Sequence, residues 1–105
     1  MRILFDQGTP VPLRHVLLSH EVETAYERGW ATLQNGELLS AAEREGFELL
    51  ITTDQSLKYQ QDLSTRRIAI LVLKSANWRL IRAQAEKIVV LCNSLAPGGY
   101  QEVEI

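Results

Sequence analysis

Leu49-Leu50-Ile51-Thr52-Thr53-Asp54 is the stretch whose reading decides the fold. It is a short apolar run with β-branched residues that ends in an acid. A run of this length without alternation suits a strand covered on both faces, the kind found in parallel sheets. Arg2-Ile3-Leu4-Phe5-Asp6 repeats the pattern near the N-terminus. In an open α/β sheet, residues just past the carboxyl ends of the strands line the ligand crevice. Two carboxylates delivered to one crevice repel each other unless a cation or a shared proton lies between them. The pair therefore points to a metal site and to phosphate chemistry.

Working outward, strand and helix signals alternate, which predicts a three-layer α/β/α sandwich with a mostly parallel sheet. Residues 1–105 form one domain, without internal repeat, low-complexity segment or linker. Gln7 to Pro10 is a predicted turn, with Thr9 the expected N-cap and Pro10 the first position of a helix to about Leu18. Glu21 to Tyr26 is an expected second strand, and Glu27 to Gln34 a loop. Asn35 is the expected N-cap of a helix over Gly36 to Glu45, stopped by Gly46. Glu48 to Thr53 follows as the third strand, Gln55 to Leu63 as a short helix, and Ile68 to Leu73 as a fourth, wholly apolar strand. Trp78, Ile81, Ala85, Ile88, Cys92 and Leu95 recur at spacings of three and four, which predicts one long helix from Asn77 to Leu95. The tail from Tyr100 to Ile105 could add an edge strand or pair with a second chain.

Apolar residues make up 46% of the chain and charged residues 23%, ordinary values for a globular protein. No run approaches the length of a membrane span. The N-terminus has no signal-peptide pattern, so a cytoplasmic location is expected. Cys92 is the only cysteine, which excludes an intrachain disulfide, and its apolar neighbours predict a buried thiol. His15 and His20 make no zinc spacing with it. The net charge of −2 conceals an asymmetry. Residues 21–48 carry Glu21, Glu23, Glu27, Glu37, Glu43, Glu45 and Glu48 against two arginines. Residues 55–92 carry Lys58, Arg66, Arg67, Lys74, Arg79, Arg82 and Lys87 against two acids. A basic flank beside an acidic site suits a polyanion, and a solvated surface of mixed sign explains the same counts.

Glu37 completes a candidate trio with Asp6 and Asp54. It falls in the first turn of the predicted helix, where the helix dipole also favours an acid. If that helix starts at the end of the sheet where the strands finish, the three converge. Mg²⁺ and Mn²⁺ take oxygen ligands, and one or two carboxylates with waters and phosphates suffice for magnesium. Thr52 and Thr53 are placed to hydrogen-bond Asp54 or a metal-bound water, and Gln7 to hold a water. Lys58, Arg66, Arg67 and Lys74 are candidate phosphate contacts. Tyr59 and Trp30 are candidate stacking residues, with packing the competing role for Trp30. Glycine-rich phosphate loops and a serine nucleophile elbow are absent.

Ile3 to Pro10 (ILFDQGTP), Asn35 to Leu39 (NGELL) with Ala41-Ala42, and Leu50 to Asp54 (LITTD) together resemble the compact PIN-like family of small bacterial proteins, relatives of VapC-type toxin ribonucleases. The resemblance covers about residues 2–75. It implies Mg²⁺- or Mn²⁺-dependent cleavage of RNA with Asp6, Glu37 and Asp54 as metal ligands, a small antitoxin partner and a homodimer. The chain departs from the family in three places. Asp62 is the only candidate for a fourth acid, the helix acid is Glu rather than Asp, and Gln55 to Tyr59 replaces an Asp-Phe motif. The alternative reading is a catalytically degenerate PIN-like module that binds RNA or a partner protein.

Overall fold

The computed structural model describes residues 1–105. The predicted strands form, with the tail as a fifth: β1 (Arg2–Phe5), β2 (Glu21–Thr24), β3 (Leu49–Thr52), β4 (Ala69–Leu73) and β5 (Tyr100–Val103). They make one sheet in the order β2-β1-β3-β4-β5, and every pairing is parallel. β3 and β4 are buried along their whole length, which is why their sequences carry no alternation.

Side-chain alternation along the strands divides the core in two. Ile3, Phe5, Leu49, Ile51, Leu71 and Val103 face one layer, where they meet Leu13, Leu17, Ile81, Ile88 and Cys92. Leu4, Leu50, Ile70 and Val72 face the other, against Leu38, Leu39, Ala42 and Leu57. The first layer is a 3₁₀ helix over Val11–Val16 with α3 (Trp78–Ala83) and α4 (Ala85–Ser94). The second is α1 (Asn35–Arg44) with the single-turn α2 (Leu57–Gln60). The result is an α/β/α sandwich.

Four local expectations are corrected. The segment after Pro10 is a 3₁₀ helix, and Pro10, not Thr9, stands at its N-cap. Thr9 turns inward instead and is 3% exposed. The N-cap of α1 is Gln34, one residue before the expected Asn35. The long C-terminal helix is broken at Gln84, whose N–H bonds to Ile81, three residues back. No Gly or Pro marks that break, and the apolar stripe runs through it because α3 and α4 present the same side to the sheet. Cys92 is buried as expected, and burial pushes its thiol up to about 11.

The connections fix where ligands can reach the sheet. From β1 the chain steps one way to β2 across the 3₁₀ layer. From β2 to β3 and from β3 to β4 it steps the other way across the α1–α2 layer, which is the same hand. The step from β4 to β5 continues in that direction but carries α3 and α4 on the 3₁₀ layer, so its hand is opposite. Parallel crossovers are right-handed in nearly all proteins, which makes the last one left-handed. The chain thus leaves neighbouring strands β1 and β3 toward opposite layers. The crevice past their carboxyl ends is the topological switch point of the sheet.

Candidate functional site

Asp6 and Asp54 stand at that switch point, one past each strand. Asp6 directly follows β1, and its N–H bonds to the Ile51 carbonyl of β3 at 3.2 Å. Its two carboxylate oxygens have separate partners. Thr9 Oγ1 lies 2.9 Å from Oδ1, and Thr52 Oγ1 donates to Oδ2. Thr9 Oγ1 is also 2.8 Å from the Ile51 carbonyl, so its single proton can serve one acceptor at a time. Burial raises the Asp6 carboxyl above its ordinary value. The hydroxyls of Thr52 and Thr9 and the amides of Gly8 and Thr9 only partly offset this.

Asp54 has the opposite environment. Its Oδ1 accepts from the Ser56 hydroxyl at 2.6 Å and the Ser56 N–H at 2.9 Å, an Asx turn that starts the path to α2. Its Oδ2 accepts from Asn35 Nδ2 at 3.0 Å. The Ser56 hydroxyl above all, and then the Asn35 amide, hold its carboxyl below the ordinary value against the effect of burial. The two acids are joined through Thr52, which is 1% exposed. Its Oγ1 accepts from the Asp54 N–H at 3.0 Å while donating to Asp6. Gly8 lies against the Thr53 hydroxyl so closely that a Cβ there would collide with it.

Neither Asp6 nor Asp54 is in an ion pair. Glu21, Glu23, Glu27, Glu43, Glu45, Glu102 and Glu104 all are. The two switch-point carboxylates are thus supported by neutral donors alone. Their donor set is all oxygen, which suits a hard divalent cation. Asp54 Oδ2 keeps a lone pair free, and rotation of the Thr9 hydroxyl toward Ile51 would free one on Asp6 Oδ1.

Glu37 does not join them. It is exposed, and its Oε1 accepts from the Gln34 N–H at 3.1 Å in a capping box, where Gln34 reciprocates to the Glu37 amide. No three His, Cys, Asp or Glu side chains are grouped so as to hold a metal ion. α1 does start at the carboxyl end of the sheet, as expected. The residue it delivers to Asp54 is Asn35. Asp62 is exposed and caps its own turn through Ser64.

The remaining expected side chains divide between two ends of the sheet. Lys58 and Lys74 lie at the carboxyl end, each paired with a β5 acid. Arg66 and Arg67 precede β4 at the amino end. Arg66 is bound to Glu43, Ser40 and Gly36, and Arg67 is exposed. Gln7 ties the first turn to the Ala31 carbonyl. Trp30 packs edge-on against Phe47 at 6.1 Å with the Arg28 guanidinium over its ring, so its role is packing. Tyr59 is 80% exposed. Beside Asp6 is a cleft of about 450 Å³ whose walls include Thr24, Tyr26 and Glu27.

Thr9, Asn35 and Ser56 were not anticipated as partners of the two acids. For Ser56 a signal was present, because Asp-x-Ser is a turn spacing in which the acid accepts from the residue two on. No protein-family model, curated protein or solved structure matches the chain. No helix is long and apolar enough to cross a membrane.

Proposed function

We propose that this chain is a PIN-like ribonuclease of toxin–antitoxin type, hydrolysing RNA phosphodiesters with Mg²⁺ or Mn²⁺ at Asp6 and Asp54. The observation that carries this reading is the pair of switch-point acids in no ion pair, with Thr52 bonded both to the Asp6 carboxylate and to the Asp54 backbone N–H. Asp6 and Asp54 would hold the ion, and Thr52, Thr9, Ser56 and Asn35 would orient their oxygens. When bound, a divalent ion supplies a water of lowered pKa and neutralises charge on the scissile phosphate. Glu37 lies outside that set in the free chain, so its part is limited to fixing the start of α1, which presents Asn35 to Asp54. A cytoplasmic location, an antitoxin partner and a homodimer belong to the same proposal and rest on the resemblance.

One observation favours the second reading, a catalytically degenerate PIN-like module that binds RNA or a partner protein. The third acid is committed to a helix cap. Cleavage of a labelled single-stranded RNA separates the two. The nuclease reading expects cleavage by wild type with Mn²⁺, none with chelator, and none in Asp6→Asn or Asp54→Asn. Cleavage retained in both variants would overturn it. Inactive wild type that still binds the RNA would favour the module.

A further inference from the structure

Glu102 of β5 is in register with Val72 of β4, and Val72 with Thr52 of β3. The three form one row across the sheet, with side chains toward the α1–α2 layer. Two interstrand steps of ~4.8 Å put the Glu102 backbone roughly 10 Å from that of Thr52, at the same carboxyl end of the sheet as the two aspartates. Two ammonium groups converge on its carboxylate. Lys58 Nζ is 2.8 Å from one oxygen and Lys74 Nζ 3.8 Å from the other, while Lys74 is nearer, at 3.0 Å, to Glu104 just past β5. The Tyr100 hydroxyl donates to the same carboxylate at 2.8 Å. Lys58 comes from α2, four residues beyond Asp54, and Lys74 directly follows β4. The carboxylate offsets the repulsion between the two ammonium groups. In the free chain the anion is the protein's own.

We propose that Lys58, Lys74 and Tyr100 form a subsite for a backbone phosphate of RNA, which Glu102, with Glu104 on Lys74, closes until RNA displaces them. The proposal rests on the RNA-cleaving reading above and names how that site takes its substrate. A diester phosphate carries the same single charge as the carboxylate it replaces and offers two free oxygens to the two lysines. Lys58 is exposed and Lys74 and Glu102 are half-buried, so the ion pairs are partly screened and the exchange cost is modest. A strand held at the two aspartates would present its neighbouring phosphate at high effective concentration.

The test is fluorescence anisotropy of a labelled single-stranded RNA, in chelator and in an Asp54→Asn background, so that failure of the metal reading leaves it intact. Glu102→Gln, which frees Lys58 while Glu104 still holds Lys74, should bind roughly fivefold tighter at low salt, with a salt dependence steeper by about 0.7, and adding Glu104→Gln should give a second step of about that size. Adding Lys58→Ala and Lys74→Ala should abolish the gain. Glu86→Gln, an exposed acid of α4 outside any ion pair, makes the same change in net charge and should have no effect. Unchanged affinity in Glu102→Gln would overturn the proposal. So would a gain that survives loss of both lysines, or one matched by Glu86→Gln. Inorganic phosphate should compete only far above the RNA concentration; competition at equal concentration would assign the subsite to free phosphate instead. If Glu102→Gln fails to fold, Glu102→Asp, which shortens the reach to the lysines, should show the same gain in smaller measure, and no gain would overturn the idea.

Discussion

The two ends of the sheet treat their acids differently. Around the amino ends of β1 and β3 and along edge strand β2, carboxylates are met by guanidinium groups. Arg2 reaches Glu21 and Glu23, Arg28 bridges Glu23 and Glu45, and Arg66 holds Glu43. Arg2 and Arg28 also cover the Phe47 ring, so these side chains close the core at that end. At the carboxyl ends of β1 and β3, Asp6 and Asp54 have hydroxyls and amides but no cation. At the amino end most acids are paired within the protein, and the exposed Glu48 accepts only from the Arg2 N–H. The other end leaves two negative charges that something from outside can settle.

The largest expected effect comes from removing that outside demand. Asp54→Asn or Asp6→Asn should lower Mn²⁺ affinity by at least the roughly 100-fold seen when an outer partner of a metal ligand is lost. Calorimetric titration measures it. Thr52→Val cuts the link between the acids while keeping the shape, and should cost about 10- to 100-fold in the same titration. A Thr52 variant with wild-type affinity would break the claim that the pair acts as a unit.

At the amino end the effect should fall on stability instead. Arg66→Ala leaves the largely buried Glu43 carboxylate with backbone amides alone, for a loss of about 1–3 kcal/mol in denaturant unfolding. Mn²⁺ affinity should not move. Burial alone would raise the Glu43 carboxyl, but Arg66 and the Arg67 and Ile68 amides outweigh it and hold it low. The folded state then binds that proton less readily than the unfolded one. Glu43 stabilises the fold above the ordinary carboxylate range and loses that contribution as pH falls through its depressed value. Glu43→Gln should flatten the acid limb of a stability–pH profile.

The smallest effect has the opposite sign. The raised Asp6 carboxyl binds its proton more readily in the folded state, so ionised Asp6 subtracts stability as pH rises through that value. Metal-free Asp6→Asn should unfold at slightly higher denaturant than wild type at neutral pH. A variant less stable than wild type would mean that the hydroxyl bonds to Asp6 outweigh its desolvation.

Much of this was legible in the sequence. The buried runs of β1, β3 and β4 gave themselves away by lacking alternation, and each aspartate marks the end of its strand. The site's neutral partners were harder to read. Thr9 before a proline reads as a helix cap, yet here Pro10 holds that place and Thr9 serves Asp6. Glu37 in a first turn fits a ligand and a capping box equally well in sequence. Only the approach of Asn35, not Glu37, to Asp54 separates the two roles. The left-handed step into β5 is set by which layer α3 and α4 occupy, and the local spacing of Trp78 to Leu95 is the same on either side of a sheet.

Titration of wild type, Asp54→Asn and Glu45→Gln with Mn²⁺ by calorimetry tests the contrast between the two ends most directly. Binding in wild type, lost in Asp54→Asn and kept in Glu45→Gln, is the predicted result. Binding that survives Asp54→Asn, or no binding in wild type, would contradict the assignment of the unpaired carboxylates to a metal.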